Sequence, residues 1–99
     1  MNITPVQKSI YNEDITMAGE SIIGAPCVIW DITVSCDVVA ATVIKFFDAT
    51  SATNCIEKVV LTTATPTVHL CYPKGKVFGT GVYATSSTSA TANVSIDYD

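Results

Sequence analysis

The stretch Cys27–Cys36, CVIWDITVSC, decides the fold class. Its side chains alternate, with Val28, Trp30, Ile32, Val34 and Cys36 on one side and Ile29, Asp31, Thr33 and Ser35 on the other. A period of two marks a strand, because successive Cβ atoms leave a pleated backbone on opposite faces. The alternation predicts a half-buried strand with Trp30 as its largest core anchor, an indole being the bulkiest apolar group on offer. Pro26 sets the boundary in front, having no N–H to give to a ladder.

Working outward, ATVIKFFDA opposes Thr42, Ile44 and Phe46 to Val43, Lys45 and Phe47. Apolar groups on both sides predict a central strand, or a face that meets a partner. CIEKVVLTT and TVHLCY, joined through Ala64-Thr65-Pro66, read as a hairpin. Tyr72-Pro73-Lys74-Gly75-Lys76 reads as a turn, since proline fixes one φ and glycine accepts a positive one. KVFGTGVYATS and TANVSIDYD read as a closing hairpin across a small-residue loop at Ser87–Ala90. SIYNEDITMAG and ESIIG give one or two more strands about Ala18-Gly19.

Val, Ile and Thr dominate, while Leu occurs only at Leu61 and Leu70. β-branched side chains lose rotamer freedom in a helix and fit a pleated sheet, and no stretch joins helical periodicity to a cap and a stop. Turn signals recur about every 8–12 residues. The expectation is all-β: a single antiparallel β-sandwich or jelly-roll-like domain of about seven to eight short strands. It covers residues 9–99, with residues 1–8, MNITPVQK, as an extended N-terminal arm.

Charge narrows the partners. The net charge is −4, and the five cations are all lysine. Nucleic-acid readers cluster Arg and Lys to replace phosphate counterions, so direct DNA or RNA binding is not expected. Neither an export signal nor an apolar run of about 18 residues is visible, which predicts a cytoplasmic site of synthesis and no membrane span. Reduced thiols follow. Cys27 and Cys36, at the two ends of one strand about 30 Å long, cannot bridge each other. A cross-strand pair such as Cys36 with Cys71 stays open by geometry, but free buried thiols are the favoured reading for Cys27, Cys36, Cys55 and Cys71. Charged residues make up 14% of the chain, against about a quarter in an average domain. So little charge favours a surface partly covered by another subunit over a lone monomer.

Residues that could carry chemistry are few. Gly79-Thr80-Gly81 lacks the following helix a phosphate loop needs and reads as a bend in a strand. His69, the single histidine, sits mid-strand between Val68 and Leu70 and reads as a surface or interface residue. The cysteine spacings match no zinc finger or ribbon, and no loop gathers the oxygens calcium requires. Two Asn-x-Ser/Thr sequons, at Asn2 and Asn93, are chance matches in a Thr-rich chain without an export signal. No catalytic, cofactor or metal residue is assigned, and no enzyme activity is expected. Trp30 and Tyr83 are the aromatic groups that a glycan-binding sandwich would use for stacking, although Trp30, with Val28, Ile32 and Val34 on its face, reads as buried.

The C-terminal third resembles small virion proteins of tailed bacteriophages. Their pattern of phenylalanine, glycine, tyrosine and threonine in one strand, a small-residue loop and an alternating closing strand is met here by Phe78, Gly81, Val82, Tyr83, Ala84 and Thr85, then Val94, Ile96 and Tyr98. FFDATSATNCIEKVVLTT is similar to their middle strands, so the resemblance runs from about Thr42 to Asp99. Trp30, the cysteines and the N-terminal arm depart from it. It implies a compact β-sandwich in the virion, either decorating and cementing the capsid or placed in the tail or neck. The leading expectation is a capsid decoration protein, a homo-oligomer that clamps capsomers of the major capsid protein without covalent bonds. The arm, through Ile3, Pro5 and Val6, is the expected partner contact. The alternatives are a tail or neck component and a carbohydrate-binding sandwich.

Overall fold

A computed structural model describes residues 8–36, 41–88 and 92–99. Eight strands form, β1 (Lys8–Ile15), β2 (Glu20–Ile23), β3 (Cys27–Cys36), β4 (Thr42–Phe47), β5 (Cys55–Leu61), β6 (Thr67–Phe78), β7 (Val82–Ser86) and β8 (Ala92–Tyr98). They make two antiparallel four-stranded sheets, ordered β1-β8-β3-β6 and β2-β7-β4-β5. The all-β sandwich expected from the alternation is the fold observed.

The pairing follows one scheme. The chain behaves as a long hairpin reversed between β4 and β5, so that β4 pairs β5, β3 pairs β6, β2 pairs β7 and β1 pairs β8. Further pairs, β3 with β8 and β4 with β7, roll that ribbon into two facing sheets. This is the jelly-roll winding, two Greek keys sharing one core.

Inward residues of both sheets interdigitate. Ile29, Ile32, Val34, Phe78, Val94 and Ile96 come from one sheet, and Ile44, Phe46, Leu61, Val82 and Ala84 from the other, each fully buried. Each large side chain so buried contributes about 1.5–3 kcal/mol. The hydroxyls buried with them find partners: Thr42 Oγ1 lies 3.0 Å from Thr88 Oγ1, and Ser86 Oγ donates to the Thr88 carbonyl at 3.1 Å.

Strand identities hold while three local readings change. β5 and β6 are not a hairpin, nor are β7 and β8, because in each case the chain leaves one sheet and enters the other. Among the described residues only β4 and β5 pair as sequence neighbours. Tyr72–Lys76 is not a turn between strands but an excursion inside β6, which runs on through it to Phe78. Residues 1–7, with Ile3, Pro5 and Val6, lie outside the described residues; the arm's last residue, Lys8, opens β1.

The two sheet edges that lie on the same side, β5 and β6, are clipped together. The Tyr72 hydroxyl donates to Glu57 Oε2 at 2.8 Å, and Lys76 Nζ reaches the same oxygen at 3.4 Å. Burial, and then the Glu57 carboxylate, hold the Tyr72 phenol well above its ordinary range. Tying side chains across the edges blunts them against pairing with other strands.

Candidate functional site

With the core filled, what the molecule offers is its two outer sheet faces. The first belongs to β1-β8-β3-β6, and its form is set by a bulge in β3. The register of β3 shifts between Ile29 and Asp31 against both neighbours, leaving Trp30 opposite no residue. The alternation is therefore reset: Cys27 and Ile29 point inward before the bulge, Ile32, Val34 and Cys36 after it. Trp30 is not the core anchor the unbroken alternation predicts. It sits half-buried on the outer face, its ring over Gly75, where an added Cβ would meet Trp30 at 3.2 Å and Val28 at 2.6 Å. Gly75 has φ +77°, a left-handed conformation that favours glycine. Val28, Trp30 and Val77, the last 68% exposed, make an apolar patch there. The sequence signal for the bulge lay in the partner strand, where Pro73 and Gly75 mark a broken ladder.

Beyond the patch the same face turns polar and acidic. Asp31 stands directly opposite Asp97 on β8 and Cys71 on β6, and Asp97 opposite Ser9 on β1. Ser9 Oγ donates to Asp97 Oδ1 at 2.6 Å, and His69 Nε2 lies 2.9 Å from Asp31 Oδ1. His69 projects outward, more than half exposed, as its place in the alternation predicts. Loss of surrounding water, and then Asp31, push the Cys71 thiol up. A nucleophilic cysteine needs the opposite shift. None of the four cysteines forms a disulfide; Cys27 and Cys36 are buried as expected, but Cys55 and Cys71 are exposed. Among the described residues no three His, Cys, Asp or Glu side chains converge as metal ligands, and no helix is long and apolar enough to cross a membrane.

Gly79-Thr80-Gly81 connects β6 to β7 and cradles an anion of the protein's own. Asp48, just past β4, accepts N–H bonds from Gly79 at 3.0 Å, Thr80 at 2.7 Å and Gly81 at 3.4 Å. The bonds from Thr80 and then Gly79 hold its carboxyl below the ordinary range against a small opposing loss of hydration. The segment bends the chain, as expected, and also ties the step between the two sheets to the end of β4. A carboxylate with a depressed folded pKa stabilises fully above the usual Asp range near about 3.9, and that contribution is lost as pH falls through the folded value. Acid should therefore unfold the wild type more steeply than Asp48→Asn, which starts less stable at neutral pH. Urea midpoints for both proteins, followed downward from neutral pH, check this; parallel acid limbs would remove the role given to Asp48.

The second face, of β2-β7-β4-β5, carries an open depression of about 400 Å³ lined by Met17, Val43, Lys45, Phe47, Thr85 and Ser87 among others. The turn between β1 and β2 folds over one side of it. Tyr83 donates to the Ala18 carbonyl at 3.0 Å, and its ring takes the space a Cβ on Gly19 would need, at 2.5 Å. Phe47 meets that ring edge-on, centroids 6.1 Å apart. Tyr83 is thus committed to holding the turn and is not a free stacking platform. Lys45 lies directly opposite Lys58, and Val43 opposite Val60 in the adjacent row.

No protein-family model and no curated protein matches the chain.

Proposed function

We propose that this domain is a virion structural protein, a capsid decoration protein that clamps capsomers through its sheet faces. The observation that carries the reading is where its exposed apolar side chains lie. Val77 is on one outer face, and Met17 and Val60 are on the other. Among the described residues these side chains stay exposed, beside hydroxyls and a few charged groups. A jelly roll is an architecture of capsid and lectin domains, a support by analogy of fold alone, and the resemblance at Phe78–Thr85 and Val94–Tyr98 points the same way. The partners are the major capsid protein and further copies of this chain. Stabilisation comes from burying apolar and hydroxyl-rich surface on each partner. A fixed ratio of this chain to the major shell protein in gradient-purified particles supports decoration. A low count per particle moves the protein to the tail or neck, and its absence from particles overturns the virion reading.

A second reading gains from the β3 bulge. Trp30, displayed over Gly75 beside Val28 and Val77, has the form of a stacking platform for a sugar ring, an apolar body with a polar N–H at its rim. Trp30 is the single tryptophan, so its emission reports this face alone. A shift on adding oligosaccharides would favour glycan binding. Emission indifferent to sugars would sink that reading.

A further inference from the structure

Two like-charge pairs stand on opposite sides of the molecule. On one outer face Asp31 faces Asp97 across β3 and β8; on the other Lys45 faces Lys58 across β4 and β5. Directly opposed side chains of one sheet have Cβ atoms about 4.5–5.5 Å apart, and like charges there are destabilising. The basic pair meets no counter-charge among the described residues. Among the described residues the ion pairs are Asp31 with His69 and Glu57 with Lys76, neither of which reaches Lys45 or Lys58. Each face also carries an apolar cross-strand pair, Val43 with Val60 beside the lysines on β4 and β5, and Val28 with Val77 across β3 and β6, beyond the bulge from Asp31. Val77 is 68% exposed and Val60 55%.

We propose that copies of this chain associate head to tail, the acidic face of one on the basic face of the next. The inference rests on the assembly reading above and names the surface through which the copies meet. Two carboxylates meet two ammonium groups at similar cross-strand spacing, and exposed valines on each face add apolar surface to the contact. The contact gives the lysine pair counter-charges and adds cations to carboxylates that inside the domain meet His69 and Ser9. Because the two surfaces differ and face away from each other, the contact is heterologous and each copy can engage two neighbours, giving a ring or an open stack according to whether the rotation closes. A four-stranded face about 19 Å wide and 20 Å long gives roughly 800 Å² over both partners, below the range of stable interfaces and in that of weak, transient ones. Association of the free chain is accordingly weak, concentration-dependent and weakened by salt.

The test is sedimentation of the purified full chain over a range of concentration and salt, with two variants. Lys45→Glu with Lys58→Glu removes the basic face; Asp97→Lys removes the acidic one. Each should weaken association by about 100-fold or more, since like charges are brought together across the contact. Mixed, the two variants should associate again, because the first keeps the acidic face and the second the basic one. Circular dichroism confirms folding, and Lys45→Gln with Lys58→Gln replaces the first variant if it fails to fold. A wild type that stays monomeric at every concentration, a mixture that does not associate, or association untouched by one of the reversals would overturn the proposal. A monomer that nonetheless enters particles would overturn it while leaving the assembly reading intact; an associating chain absent from particles would do the reverse.

Discussion

Phe46→Ala is expected to cost about 3–5 kcal/mol of folding free energy, the usual range for deleting a fully buried phenyl ring. Phe46 lies on central strand β4 with no exposed surface, among the inward side chains of both sheets. A domain of this size holds about 5–15 kcal/mol in total, so the loss is a large share. Tm moves by roughly 4–8 °C per kcal/mol, a fall of at least about 12 °C. Its neighbour supplies the comparison. Phe47 is 7% exposed but lies on the outer face against Tyr83, outside the core cluster. Phe47→Ala should cost less, because its site opens to solvent and no sealed cavity is left between the sheets. Thermal melts of both variants decide it, and equal losses would mean the assignment of the two rings to opposite faces is wrong.

That pair also shows what the sequence could say. Apolar groups on both sides of ATVIKFFDA predict a central strand, and β4 is one, flanked by β5 and β7. Strand existence is local information, carried by the two-residue period. Sheet membership is not. Pro66 between β5 and β6, or the hydroxyl residues between β7 and β8, show where the chain reverses, but the same chemistry serves a hairpin and a step across to the facing sheet. The choice rests on long-range pairing, β3 with β6 and β1 with β8, which no short window contains.

Trp30 marks a second limit. One residue displaced at a bulge flips every side chain before it relative to those after it, so a face assignment read through Trp30 is right for Ile32, Val34 and Cys36 and wrong for Val28 and Trp30. The functional consequence is direct, since a glycan-binding face needs a displayed indole and the bulge supplies one. Asp48 marks a third. No pattern joins it to residues some thirty positions away. The available hint was physical: a glycine-rich connection presents N–H groups that need an acceptor, and an acid at the end of another strand could supply it.

Gly81→Ala is expected to be nearly as damaging as the loss of Phe46, about 3 kcal/mol, the upper end for forcing atoms into filled space. An added Cβ would lie 2.5 Å from the Ile23 carbonyl oxygen, with the Ala25 nitrogen and the Ala49 oxygen at 3.4 and 3.5 Å. These are backbone atoms, which cannot swing aside as a side-chain tip does. Relief requires moving the β6–β7 connection, and that movement breaks the N–H bonds from Gly79, Thr80 and Gly81 to Asp48. Gly24 is the control, with nothing within 4 Å of an added Cβ; Gly24→Ala should be neutral or gain up to about 1 kcal/mol by restricting the unfolded chain. Urea unfolding of the two variants separates close approach from mere loss of glycine freedom. If Gly81→Ala keeps wild-type stability, close approach is not what the glycine serves. If it falls as expected, Gly81 closes the jelly roll beside Phe78, Val82, Ala84, Val94 and Ile96, the buried members of the set on which the virion resemblance stands. What they would then mark in a relative is this fold, and partner choice would lie with the outward residues of the two faces.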